Sequence, residues 1–203
     1  MHTDSMRHEH SSKASKAADT RQRLINTARS LFAERGYSAV SLDDVLAGVQ
    51  LTKGALYHHF RDKKDLFREV LNTVQQQVAA TAQVVGGEMP EPAEGLKAVC
   101  QALLHELQKP DVMRIVCLDA GAVLTWAECA EIDERHMFAV LRTFIGAARF
   151  SIRENTTELE ATVRALAGAI YQTVEWASRE NANERISHGE RVILRLVEAI
   201  ARD

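Results

Sequence analysis

Apolar residues recur along this chain at helical spacing, and no stretch sustains the two-residue alternation of a half-buried strand. Leu24, Ile25, Ala28, Leu31 and Phe32 form one stripe of a first helix that Asp19 or Thr20 can cap. Gly36 ends it, in a place where a left-handed backbone needs no Cβ. Ser41 opens a second helix with Asp44 at the reciprocal capping position, and Leu42, Val45 and Leu46 supply its buried face. A third helix is predicted from Thr52 to Phe60. Asp62 and Asp65 start a fourth, whose stripe is Leu66, Phe67, Val70, Leu71, Val74 and Val78 and which runs to Gly86-Gly87. Residues 86–95, GGEMPEPAEG, read as the clearest linker, and further helices are predicted over roughly 93–108, 111–123, 125–153, 157–179 and 184–202. Residues 1–18 are small and polar and read as a disordered tail. The fold class is all-α, with no internal repeat.

The second and third helices are short and only three or four residues separate them, so they must cross steeply in helix-turn-helix geometry. In "TKGALYHHF", residues 52–60, Leu56 and Phe60 lie one turn apart and can face a core. Lys53, Gly54, Tyr57 and His58 then share the outward face. That face suits DNA. Thr52 and the free amides at the helix start can hold a phosphate, aided by the helix dipole. Lys53 can neutralise a phosphate or donate to guanine. Gly54 and Ala55 are small enough for close approach to base edges, Tyr57 and His58 can donate to phosphates, and Lys63 adds a second clamp. The same nine residues also fit a solvated helix with incidental aromatics.

Charge supports the first reading. The whole chain carries a net −3, but residues 1–70 hold 12 basic against 9 acidic side chains, whereas residues 71–203 hold 13 against 19. An anion-binding N-terminal unit on an acidic body has this asymmetry. Cys100, Cys117 and Cys129 are odd in number and lack C-x-x-C spacing, so a reducing cytoplasm is expected rather than a disulfide framework, with the thiols buried and inert. No secretory signal opens the chain, and the most apolar stretch, Met113 to Ala130, is broken by Arg114, Asp119 and Glu128, so no membrane partner is expected. His2, His8 and His10 read as solvated, and His105, His136 and Cys129 lack zinc spacing, so neither metal nor cofactor is expected.

From Thr20 to Leu71 the chain resembles the DNA-binding domain of the TetR (tetracycline repressor) family. The shared features are "AxxLFAERGY" from Ala28 to Tyr37, then "SLDDV", then "TKGALYHHFRDKKDLF" from Thr52 to Phe67. The resemblance implies phosphate contacts at Ser41, Thr52, Tyr57, His58, His59 and Lys63, and base-side positions at Lys53, Gly54 and Ala55. His59 fits packing at the helix end equally well. One departure concerns the turn. Where the family usually has Ala-Gly-Val, this chain has Val49, Gln50 and Leu51, so Gln50 takes the left-handed position at a cost of roughly 1 kcal/mol.

The resemblance further implies three segments: a tail over 1–18, a helix-turn-helix domain over 19–66, and a larger helical effector-binding and dimerisation domain over 67–203. Leu159, Val163, Leu166, Ile170 and Val174 stripe one late helix, with Ala161, Ala165 and Gly168 on its flank. Val192, Ile193, Leu196, Val197 and Ile200 stripe the last. Two such helices per subunit would make a four-helix homodimer interface, and the same stripes also suit packing within one chain. The unusual stretch 113–133 points to an effector pocket, with candidates Arg114, Cys117, Trp126, Met137, Phe138, Tyr171, Gln172 and Glu175, for a small hydrophobic or aromatic molecule of unknown identity. No G-x-S-x-G, P-loop or H-E-x-x-H is present, which argues against an enzyme. The expected function is a ligand-responsive repressor reading a near-palindromic double-stranded operator. The alternative is a ligand-independent DNA-binding protein of the same fold.

Overall fold

A computed structural model describes residues 3–149, 152, 155–178 and 182–202, with the side chains of 3–14 and 183 outside that description. Every regular element among them is helical. The chain divides into two compact units, Met1–Val70 and Leu71–Asp203.

The first unit holds α1 (Thr3–Arg35), α2 (Leu42–Val49), α3 (Lys53–Tyr57) and the start of α4 (Lys63–Gly87). α1 ends where Gly36 takes φ 78°, as its position predicts. At α2 both halves of the Ser41–Asp44 capping box form: the Asp44 amide donates to Ser41 Oγ at 3.1 Å and the Ser41 amide to Asp44 Oδ2 at 2.7 Å. Gln50 takes the left-handed conformation, φ 56° and ψ 43°. The Leu51 amide then donates back to the Leu46 carbonyl at 3.3 Å, and Arg23 Nη2 donates to the Val49 carbonyl at 3.1 Å. These bonds close the end of α2 without the usual glycine. The glycine that sits instead at position 48 lets α1 and α2 touch, because a Cβ there would lie 2.6 Å from Thr27 Cγ2. α3 has five residues and cannot sustain itself. Fully buried Leu56 and Phe60 hold it, each contributing roughly 1.5–3 kcal/mol by burial. Phe32, Tyr37 and Phe67 complete this core, their ring centroids 5.2–5.6 Å apart.

The second unit contains the rest of α4, then α5 (Pro92–Leu107), α6 (Pro110–Met113), a π-helical segment Arg114–Asp119, α7 (Ala120–Val123), α8 (Trp126–Arg135), α9 (Met137–Ala148), α10 (Thr156–Ala177) and α11 (Ala182–Arg202). α5 packs against α9, α10 and α11. Its Leu96, Val99, Cys100, Leu103, Leu104 and Leu107 are all buried. On the surface, Arg142 and Arg164 each bridge Glu134 and Glu160, tying α8, α9 and α10 together.

Several elements differ from the sequence reading. Helical backbone extends through the predicted tail to Thr3, since neither glycine nor proline interrupts residues 3–35. The predicted linker is mostly helix. α4 and α5 reach into it from both sides, and Gly86 and Gly95 are buried where Phe144 crosses them, a Cβ on Gly86 falling 2.7 Å from Phe144 Cε1. The predicted helix 125–153 breaks at His136, φ −122° and ψ −83°. Its ring meets Asn72 Oδ1 at 2.9 Å, a tertiary contact with no local signal. The largest correction concerns the dimer stripe. Val163, Leu166, Ile170, Val174, Ile193 and Val197 are all buried within one chain, so they build the intrachain core rather than an interface. Leu159 and Ile200 are half-buried. Of that set only Val192 and Leu196 stay exposed, and Trp176 joins them.

Candidate nucleic-acid interface and effector cavity

α3 presents the predicted face outward. Thr52, Lys53, Gly54, Tyr57 and His58 are exposed, Ala55 is half-buried, and Leu56 and Phe60 beneath them are buried. Thr52 caps the helix, its Oγ1 accepting from the Ala55 amide at 3.3 Å. Ser41, the cap of α2, is also exposed. A Cβ added to Gly54 would meet nothing nearer than Thr52 Oγ1 at 4.0 Å, so the protein's own packing does not require glycine there.

Lys53 is not idle: its Nζ lies 2.9 Å from Asp43 Oδ1 and 3.0 Å from Oδ2, and this carboxylate raises its pKa. His59 is half-buried against His58 and Phe60, ring centroids 5.4 and 6.4 Å away, and burial lowers its pKa so that the neutral ring is favoured. Lys63 has intrachain partners in the free protein. Its Nζ donates to the Tyr37 and Val40 carbonyls, both at 2.9 Å, and sits 4.0 Å above the Tyr37 ring. Two of its three protons thus hold the α1–α2 loop, which makes it a structural clasp.

A cavity of about 410 Å³ opens in the second unit. Of the predicted pocket residues, Cys117, Trp126, Tyr171, Gln172 and Glu175 line it. Trp126 is 90% exposed, which places it at the mouth rather than in the wall. Phe138 instead lines a neighbouring cavity of about 420 Å³, beneath the Arg164 guanidinium at 4.9 Å. Met137 is wholly buried in the core, and Arg114 lines neither cavity, because the π-helical segment turns Val116 and Cys117 toward the space instead.

The polar centre of the cavity is a triad of Tyr171, which the sequence names, with Gln75 and Asp133, which it does not. Tyr171 Oη donates to Asp133 Oδ1 at 2.6 Å, and Gln75 Nε2 donates to Asp133 Oδ1 at 2.9 Å and to Tyr171 Oη at 2.7 Å. Burial raises the Asp133 pKa, against the lowering effect of those two donors, and keeps the Tyr171 phenol protonated. Burial also pushes Cys117 up to about 12 and raises Cys129, so neither is a ready thiolate. One signal was available: Gln75 is a glutamine set inside the apolar stripe of Leu71, Val74 and Val78. Among the described residues no group of three or more His, Cys, Asp or Glu side chains is placed to hold a metal. No helix among them is long and apolar enough to cross a membrane.

Comparison with known proteins agrees with this geometry. Residues 24–70 match the bacterial regulatory proteins of the tetR family, and residues 93–200 match a tetracyclin repressor-like C-terminal domain. The chain is 55% identical over 47 residues to the transposon Tn10 TetC protein of Escherichia coli, a stretch covering 23% of this chain and 24% of that protein. It is 25% identical over 194 residues to the HTH-type transcriptional repressor BepR of Brucella suis biovar 1 (strain 1330), covering 91% of this chain and 93% of that one. A crystal structure of a TetR-family transcriptional regulator from Pectobacterium atrosepticum superposes with a TM-score of 0.75 at 27% identity, covering 93% of this chain and 97% of that one.

Proposed function

We propose, from the premise that this chain belongs to the TetR family of bacterial regulatory proteins, that it is a cytoplasmic repressor whose homodimer grips a near-palindromic operator and lets go when a small molecule enters the Tyr171 cavity. The observation that carries this reading is the α3 surface. Lys53, Gly54, Tyr57 and His58 are exposed over anchored Leu56 and Phe60, which gives this five-residue helix a small outer face bearing donors for an anion. Thr52 and Ser41 supply cap positions where phosphates seat well, and His59 and Ala55 flank the contact.

Release follows from helix α4. It contributes Leu66 and Phe67 to the first core and Leu71 and Gln75 to the cavity wall. A ligand that displaces Gln75 therefore acts on an element both units use. It shifts the equilibrium only by its difference in affinity for the DNA-bound and released states, about 1–3 kcal/mol for typical couplings. Two recognition helices about 34 Å apart read successive major grooves, and changing that separation breaks register.

Selection of duplexes from a random pool tests the reading. Enrichment of a two-fold-related sequence with half-sites one or more helical turns apart is expected. Retention of duplex regardless of sequence contradicts it.

A further inference from the structure

The cavity in the second unit has an unfilled requirement. Gln75 is 3% exposed and lines it, and its Oε1 is buried with no hydrogen-bond partner. The amide cannot be turned round to cure this. Its Nε2 faces the Asp133 carboxylate and the oxygen of a tyrosine that itself donates to that carboxylate, so reversing the group would set oxygen against oxygen. A buried acceptor left so keeps its full desolvation cost, which a ligand donor would recover.

Charge narrows the donor. The lining holds Asp133, whose two donors, Tyr171 and Gln75, are both neutral, and among the described residues no lysine, arginine or histidine lines it. Arg164 lines the neighbouring cavity, where it is bridged by Glu134 and Glu160 and stacked over Phe138. The remaining wall, Leu71, Val116, Ala120 and Leu124, is apolar, with the Trp126 indole at the mouth. A neutral hydroxyl would satisfy Gln75 and bring no positive charge to Asp133 in that apolar setting. A protonated nitrogen answers both, and an aromatic body answers the walls.

Resting on the proposed effector role of this cavity, we infer that its effector is an organic cation, a small aromatic or lipophilic amine whose ammonium group sits against Asp133 and donates to Gln75 Oε1. Isothermal titration calorimetry of the protein without DNA tests this with three probes on one scaffold: 1-naphthylmethylammonium, 1-naphthalenemethanol and 1-naphthoate. The ammonium should bind at least tenfold tighter than the alcohol, and the alcohol tighter than naphthoate. Asp133→Asn should weaken the ammonium tenfold or more while moving the alcohol less than threefold. Gln75→Met should weaken both. If Asp133→Asn does not fold, the ranking of the three probes on the unaltered protein still decides. Naphthoate binding as tightly as the ammonium, an unchanged ammonium affinity in folded Asp133→Asn, or binding of none of the three would overturn the inference. Because DNA is absent, a failure of operator binding leaves this result standing. Conversely, a naphthoate that binds and releases DNA would sink the cation and keep the repressor.

Discussion

Lys53 meets Asp43 in the free protein, with both side chains 66% exposed. An exposed pair of this kind adds little to stability and is easily exchanged for a phosphate. Asp43 is therefore both a holder of Lys53 and a negative charge beside the proposed DNA face. Asp43→Asn should raise DNA affinity about threefold to tenfold at low salt, with the gain shrinking as salt is added, as measured by fluorescence anisotropy. An unchanged or weaker affinity would place Lys53 away from the duplex. Gln50 stands apart as the one described non-glycine residue with positive φ. Gln50→Gly should stabilise the protein by up to about 1 kcal/mol in urea unfolding, because glycine removes the Cβ clash. A destabilised variant would mean that the Gln50 side chain holds the turn by contacts of its own.

At the scale of elements, α3 separates folding from function most cleanly at Gly54. The space around its missing Cβ is open, and alanine is the better helix former. Gly54→Ala should leave thermal stability equal or higher, by up to about 1 kcal/mol, and reduce DNA affinity about tenfold by keeping the backbone off the base edges. Unchanged DNA binding in that variant would count against close approach. The legibility of each element in the sequence tracks how local its cause is. Gly36, the Ser41–Asp44 box and the Leu56/Phe60 spacing are settled within a few residues and can be read directly, whereas the left-handed Gln50 follows only from alignment with the family's turn. The break at His136 depends on Asn72, 64 residues away, and the cavity triad joins Gln75, Asp133 and Tyr171 across separations of up to 96 residues. No periodicity carries such information. The π-helical segment is similar: its wider turn leaves the apolar pattern looking helical, and Arg114 at its start does not line the cavity.

At the scale of the molecule, the late helices show the limit of what a stripe tells. Amphipathic spacing says that a face is covered, and it does not say by what. The stripe of α10 and half that of α11 are covered from inside the chain, which leaves Trp176, Val192 and Leu196 as exposed apolar residues on those two helices. A homodimer through this remaining face predicts that Val192→Glu with Leu196→Glu yields a folded monomer in sedimentation, with helical circular dichroism retained and operator affinity lost by more than tenfold. A double variant that still sediments as a dimer would move the interface elsewhere.

The claim on which the rest stands is that α3 touches the duplex through Lys53 and Tyr57. The direct measurement is anisotropy of a labelled, selected operator titrated with the unaltered protein, Lys53→Ala and Tyr57→Ala, with urea melts alongside. Each alanine variant should melt as the parent does and bind at least tenfold more weakly, the scale of one lost charge-assisted or phosphate-directed hydrogen bond, about 1.5–3 kcal/mol. Parental affinity in both variants would contradict the account.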